Sequence, residues 1–193
     1  MDETDRVFQR LFKAWKRKEW LLVESLSAHA TVLDPGASVG WLLRGKSLSL
    51  LGRPKEALAS LHTALKKTKG RYRKNVYIEF GHCYLNAHMP KNAKKWFSRA
   101  IREFPGHASA YIYLADLESS LGHLDVAEKL LQRATTCVDG CIEEAWFNLG
   151  VSHAARGELK FAATALQRAM KIDPAYREAS KLKKQVDVLL GRA

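Results

Sequence analysis

Residues 143–176 read EEAWFNLGVSHAARGELKFAATALQRAMKIDPAY. An apolar stripe at helical spacing begins at Trp146, and Gly157 interrupts it. A second stripe starts at Ala162, and Pro174 ends it. Because glycine and proline commonly mark the ends of helices, the stretch predicts a helix, a turn and a second helix. A single helical hairpin leaves its apolar face uncovered, so we expect similar hairpins to stack against it.

The same pattern recurs upstream, with starts at residues 38, 74 and 108, which lie 34 to 36 residues apart. The predicted units are 38–71, 74–107, 108–141 and 143–176. Residues 4–37 form a degenerate first unit, because Leu11 and Val23 occupy positions that hold small residues elsewhere. We expect 177–190 to form a capping helix with the apolar residues Ala179, Leu182, Val186 and Leu189. The alternative is the first helix of a truncated further unit.

Small residues recur at two positions of the later hairpins. On the first helices they are Gly45, Gly81, Ala115 and Gly150, and on the second helices Ala57, Ala93, Ala127 and Ala162. Large side chains there would force the paired helices apart. The pattern therefore predicts close helix–helix contact within each hairpin.

Residues 143–176 resemble the tetratricopeptide (TPR) pattern W-x2-L-G-x2-Y, A-x3-F and a closing P. The exceptions are His153 in the aromatic position and Leu166 in place of phenylalanine. The resemblance implies a single all-α domain over residues 1–193. Its expected form is a right-handed α-solenoid of about five antiparallel helix-turn-helix units with a C-terminal capping helix. It also implies a non-catalytic adaptor that binds a segment of a partner protein in a concave groove.

In the TPR family, the first helix of each hairpin lines this groove at defined positions. Carried over to this sequence, the candidate partner-binding residues are Phe8, Phe12, Leu42, Leu43, Lys46, Ile78, His82, Ile112, Tyr113, Asp116, Phe147, Asn148 and Val151. We expect Ile78, Ile112, Tyr113 and Phe147 to anchor apolar side chains of the partner. The alternative is that the fifth position of these helices completes the core between hairpins.

The net charge of +12 is unevenly distributed. Residues 1–106 hold 21 Lys and Arg against 9 Asp and Glu, whereas 107–193 hold 11 of each. Two runs carry much of the excess, KAWKRKEW at 13–20 and KKTKGRYRK at 66–74. The candidate basic patch consists of Lys66, Lys67, Lys69, Arg71, Arg73 and Lys74.

Three interpretations of this charge stand side by side. It keeps the surface solvated, it attracts a protein segment with acidic flanks, or it binds RNA with Trp15, Trp20 and Tyr72 as stacking surfaces. No nucleic-acid-binding module accompanies the runs, so we rank an acidic protein above nucleic acid. A purely structural assembly subunit is a further alternative.

Catalytic and cofactor motifs are absent from the sequence, including phosphate-binding loops, H-E-x-x-H and G-x-S-x-G. Cys137 and Cys141 lack a second ligand pair, and three cysteines are too few for a disulfide framework. We therefore expect no enzyme activity, cofactor or metal. No apolar run reaches the roughly 18 residues of a membrane span, and no signal peptide is evident, so we expect a cytoplasmic protein.

The carboxylate clamp of chaperone-binding TPR proteins does not fit. Its five positions fall on Leu42, Lys46, Glu79, Ser109 and Tyr113, of which only Lys46 is cationic. We therefore expect no binding of an EEVD-ending chaperone tail.

Overall fold

A computed structural model describes residues 2–191. These residues form eleven α-helices, one short 3₁₀ helix at Gly70–Tyr72 and no strand. The α-helices are α1 (Glu3–Lys16), α2 (Trp20–Leu33), α3 (Ser38–Leu50), α4 (Pro54–Lys67), α5 (Arg73–Asn86), α6 (Pro90–Glu103), α7 (Ala108–Ser120), α8 (Leu124–Thr135), α9 (Ile142–Ala155), α10 (Leu159–Ile172) and α11 (Arg177–Leu189). The predicted all-α helical repeat fold is confirmed.

The turn inside each hairpin needs one residue with a positive φ. Gly52, Gly122 and Gly157 supply it in three hairpins, with φ values of 73° to 82°. Lys18 and His88 occupy the corresponding turns at φ 58° and 56°. Because residues with a Cβ rarely adopt this conformation, these two turns carry backbone strain that the glycine turns avoid.

The chain divides into two compact units, Met1–Ala100 and Ile101–Ala193. In the first unit, α1 packs on α2, α2 on α3, α3 on α4, and α4 on α5. One core cluster consists of Val7, Leu11, Ala14, Val23, Leu26, Ala30 and Leu43. Another consists of Leu48, Ala57, Leu61, Ala64, Val76, Phe80 and Cys83.

Two glycines mark close approaches between paired helices of the first unit. A Cβ on Gly45 would lie 2.7 Å from the side chain of Leu61, and a Cβ on Gly81 would overlap the ring of Phe97. A larger residue at either position would push the helices apart. The small-residue pattern in the sequence therefore reflects contact with the second helix of the same hairpin.

In the second unit, α7 packs on α8, α9 on α10, and α11 on α10. Its two core clusters meet around α9 and α10 and share the partly buried Trp146. Ala179 and Val186 of α11 are buried against α10. Leu189 does not join them: it is the last residue of the helix, and its side chain is 69% exposed.

Candidate protein-binding site

A hollow of about 300 Å³ lies between α7, α8 and α9 in the second unit. Leu124, Leu131 and Val151 contribute apolar walls, while Asp116 and Asn148 contribute polar groups. Asp116, Asn148 and Val151 come from two helices, and the sequence predicted all three as partner-binding residues. The hollow is the place where the fold brings these predicted residues together.

Two carboxylates near this hollow lack a cationic partner. Neither Asp116 nor Glu144 forms an ion pair with a Lys, Arg or His of residues 2–191. Asp116 is exposed at the surface, but its partial desolvation, together with the nearby Glu144, raises its pKa from 3.8 to about 6. Burial also raises the pKa of Glu144. The charged forms of both groups would be stabilised by a cation from outside the chain.

The cation at the rim of the hollow is already engaged. Arg156 Nη1 lies 2.5 Å from Glu128 Oε2, and Arg156 Nη2 lies 3.5 Å from Asp125 Oδ1. The guanidinium therefore adds little positive charge to the opening. Together with the unpaired carboxylates, this leaves the hollow electronegative.

Two aromatic side chains that the sequence predicted as anchors lie on α7 and α9, the helices that also carry Asp116 and Asn148. Phe147 is half-buried, and its ring centroid lies 5.1 Å from that of Tyr176. Burial and neighbouring carboxylates raise the pKa of Tyr176 to about 12, so its hydroxyl stays protonated at neutral pH. Tyr113, on α7, is also half-buried. Both predicted aromatic anchors thus keep part of their surface in solvent.

Two other predicted anchors, Ile78 and Ile112, and the predicted groove residue Leu43 are buried, and the expectation that they contact a partner is corrected. Ile112 is 0% exposed, Leu43 is 6% exposed and Ile78 is 8% exposed. Ile112 packs in the cluster that contains Ala145 of the next hairpin, and Leu43 packs in the cluster formed with α1 and α2. Ile78 and Ile112 hold the fifth position, for which the alternative was a core role, whereas Phe8, Leu42 and Phe147 at the same position are only partly buried.

Two predicted residues of the first unit, Lys46 and His82, line a different kind of hollow, of about 200 Å³. Lys46 Nζ lies 2.7 Å from Glu79 Oε1, which joins α3 to α5. Asn86 donates a hydrogen bond of 2.9 Å to Ser49 Oγ. Burial lowers the pKa of the partly buried His82, which favours its neutral form. Lys46 was expected to contact a partner, but its charge is used within the fold.

The remaining predicted groove residues of the first unit have intermediate or exposed surfaces. Phe8 and Phe12 lie with ring centroids 6.3 Å apart, and Phe12 is 41% exposed. Leu42 is half-buried against the cluster that contains Phe80. None of these three lines a hollow with Lys46 and His82. The predicted set is therefore dispersed in this unit.

The basic patch is also divided. Lys66, Lys69 and Arg73 line a depression of about 550 Å³ at the junction of α4 and α5. Arg71 instead lies over the ring of Tyr72, with 5.4 Å between the guanidinium carbon and the ring centroid. The remaining two residues are the exposed Lys67 and the half-buried Lys74.

The cysteines show no sign of activation. Burial raises the pKa of the Cys83, Cys137 and Cys141 thiols, which disfavours thiolate nucleophiles and thiolate ligands. Within residues 2–191, no group of three or more His, Cys, Asp and Glu side chains is arranged to hold a metal ion. The helices described in this range include none that is long and apolar enough to cross a membrane.

Comparisons with known proteins bear on the identity of this repeat. Two family models, both described as tetratricopeptide repeat, match residues 143–181 and 80–140, together about half of the chain. The chain belongs to the tetratricopeptide repeat family. A search of curated proteins gives no match. As a TPR protein, the chain is a helical repeat scaffold of the protein-interaction class.

Solved structures of low identity share the TPR fold. TTC0263, a thermophilic TPR protein of Thermus thermophilus, is 16% identical with a TM-score of 0.73, over 96% of this chain and 99% of its own. PilW, a type IV pilus biogenesis factor, is 16% identical with a TM-score of 0.70, over 100% and 89%. YrrB, a TPR protein with an unusual peptide-binding site, is 21% identical with a TM-score of 0.55, over 90% and 88%.

Two kinds of residue at or near the hollow between α7, α8 and α9 were not predicted from the sequence. Glu144 is the third residue of α9 and the second residue of the predicted unit 143–176. The family pattern includes that second position among its ligand contacts, so the signal for Glu144 was available. Leu124 and Leu131 belong to the second helix of their hairpin, and the pattern assigns no ligand contact to that helix. Their contribution follows from the opening between α8 and α9, which depends on three-dimensional packing.

Proposed function

We propose that this TPR protein is a non-catalytic adaptor whose second unit binds a segment of a partner protein at the hollow between α7, α8 and α9. The observation that carries the proposal is the composition of that hollow, with apolar walls beside Asp116 and Asn148. An apolar wall accepts a side chain, and an amide and a carboxylate fix the orientation of a peptide backbone.

The charge of the hollow specifies the partner segment further. Asp116 and Glu144 have no cation of their own within the described chain, so a lysine or arginine of the partner would supply one. An apolar residue close to this cation would enter the hollow beside Val151. The acidic flanks expected from the net charge would suit the cations of the first unit, such as Lys66 and Lys69, rather than this site.

An EEVD-ending chaperone tail remains an unsuitable ligand in this proposal. Such a tail presents carboxylates, and the hollow of the second unit already carries them. The one cation at the clamp positions, Lys46, is paired with Glu79. The adaptor role, the cytoplasmic location and the absence of catalysis are parts of the same proposal, and RNA binding is the less favoured alternative.

The test begins with selection of peptides from a random displayed library on the full chain, followed by calorimetry on the best binder. Replacing Val151 by Glu should weaken binding at least tenfold, because it places a charge on the apolar wall. Replacing Tyr113 and Phe147 together by Ala should cost a few kcal/mol if both rings are anchors. Circular dichroism checks that each variant keeps its helices.

The matched control is Val188→Glu, since Val188 is 61% exposed on α11 and does not line the hollow. It should bind the peptide as the wild type does. If Val151→Glu, with its helices intact, keeps wild-type affinity, the peptide binds elsewhere and the proposed site is wrong.

A further inference from the structure

The basic run KAWKRKEWLL at residues 13–22 has no role in the proposed partner site. It covers the last turn of α1, the turn after it and the start of α2. Lys13, Lys16, Arg17 and Lys18 are all exposed. Large apolar side chains stand beside these cations in solvent, with Trp15 39% exposed, Leu21 75% exposed and Leu22 41% exposed.

The end of α3 enlarges this apolar surface. Leu51 lines a shallow depression together with Trp20, Leu21 and Leu22. Soluble surfaces seldom keep neighbouring large apolar residues exposed without a use. We call this surface, formed by residues 13–22 and Leu51, the turn-end surface.

The positive charge of the turn-end surface is only slightly offset. Glu19 is the one carboxylate in the run, and its Oε1 lies 3.8 Å from Arg17 Nη1. The nearby Arg53 is paired with Glu56 and Glu24, so these three groups form an ion-pair network of their own. The surface thus combines exposed Leu and Trp side chains with three further cations.

The shape of the surface distinguishes between possible occupants. A peptide is held in a groove whose walls enclose its side chains, whereas the depression here is shallow and leaves Leu21 and Leu22 75% and 41% exposed. Exposed apolar residues with tryptophan and flanking lysines suit the boundary between lipid headgroups and acyl chains. Lysine and arginine stems extend their charges to anionic headgroups while their methylene groups cover apolar surface.

We propose that the turn-end surface of the first unit docks the protein on a membrane surface that contains anionic lipids. Leu21 and Leu22 enter the headgroup region, while the half-buried Trp20 stays packed beside them, and Lys13, Lys16 and Lys18 contact the lipid phosphates and carboxylates. The docking is peripheral and reversible, because few apolar side chains are inserted. It is independent of the peptide site of the second unit.

The test is co-sedimentation of the full chain with vesicles. One set contains phosphatidylcholine alone, and the other contains about 30% phosphatidylserine, which gives a negative surface potential. We expect binding to the anionic vesicles only, and weaker binding as salt is added. Removal of cations by the double change Lys13→Ala and Lys16→Ala should lower the partition coefficient at least tenfold, since each contributes roughly fivefold.

Two matched controls separate the turn-end surface from charge in general. The double change Lys66→Ala and Lys67→Ala removes the same charge elsewhere in the first unit and should leave binding within about twofold. Leu21→Glu should abolish binding, whereas Val32→Glu, at a residue equally 75% exposed near the other end of α2, should not.

Several outcomes would overturn the proposal. One is a failure of the wild-type protein to bind anionic vesicles. This result does not depend on whether any variant folds. Another is an equal loss of vesicle binding in the double variant at Lys66 and Lys67, which would show that binding depends only on the net charge of the protein. A third is retention on immobilised polyglutamate without vesicle binding, which would assign the surface to an acidic protein partner.

Discussion

Alanine in place of Gly81 tests the packing that sets the distance between α5 and α6. A Cβ at this position would have its three nearest neighbours, all ring atoms of Phe97, within 3.0 Å. Phe97 is fully buried, so its ring can move only against neighbouring core side chains. Overpacking of this kind costs about 1–3 kcal/mol, and the better helix propensity of alanine returns about 1 kcal/mol. Because three rigid atoms are involved, we expect a net loss near the upper end, about 2 kcal/mol.

The same chain contains the expected compensation. Ala115 on α7 occupies the position of Gly81, and its second helix carries Leu131 where α6 carries Phe97. Replacing Phe97 by Leu should therefore relieve the clash in the Gly81→Ala variant, although alone it costs about 1 kcal/mol for the lost ring volume. Urea unfolding followed by circular dichroism gives the three free energies.

The reasoning is refuted if Gly81→Ala changes the free energy of unfolding by less than about 0.5 kcal/mol. It is also refuted if the two changes simply add, since packing contact predicts a coupling of at least about 1 kcal/mol. Gly45→Ala is a comparison with a smaller expected loss, because the flexible Leu61 side chain faces it at 2.7 Å.

Three further changes have defined outcomes. Asp116→Asn should stabilise the fold at pH 7 by up to about 1 kcal/mol after solvent screening, and the gain should vanish below about pH 4. The variant is the more stable form at pH 7 because the pKa of Asp116 is raised from 3.8 to about 6 in the folded state, so the wild-type fold loses stability as pH rises through this window. Urea unfolding curves of both proteins at pH 4 and pH 7 measure the difference. His88→Gly should raise the free energy of unfolding by up to about 1 kcal/mol, because glycine adopts φ 56° without strain, and an unchanged urea midpoint would contradict this. Truncation before Arg177 should lower the melting temperature, since it uncovers Leu166 and its neighbours; an unchanged melt would show that α11 does not cap the unit.

The periodic features of the chain could be predicted from the sequence. Glycine and proline mark the helix ends of the hairpins, and small residues recur at the spacing of the repeat. The position of helices such as Pro54–Lys67 and the packing role of Gly81 could therefore be predicted. These features depend on local conformation and on contacts within one hairpin. They are therefore encoded in short stretches of sequence.

Features that depend on neighbouring hairpins could not be predicted in the same way. Ile112 and Phe147 occupy the fifth position of their predicted units, yet one is fully buried and the other is half-buried. Lys46 and Glu79 pair across 33 residues, which the spacing of charges does not reveal. Each outcome is set by how closely the next helix approaches, and that depends on many side chains at once.

The expected charge of the partner segment changed from acidic to cationic for the same reason. The net charge of +12 favoured an acidic partner, but charge counts do not say which groups are already paired. In the second unit the unpaired charges near the hollow are carboxylates, while Arg156 is paired with Glu128. Local pairing therefore outweighs net charge in choosing a ligand for this site.

A charge swap between the hollow and its ligand tests the central claim most directly. The peptide selected on the full chain is titrated by calorimetry into wild type and Asp116→Lys, and then a second peptide with its cationic residue changed to glutamate is titrated into both. We predict at least a tenfold loss for the original peptide with the variant, and recovery of most of the affinity when both charges are reversed. Equal affinity of the original peptide for wild type and variant would contradict the assignment of a cation-selecting hollow at Asp116.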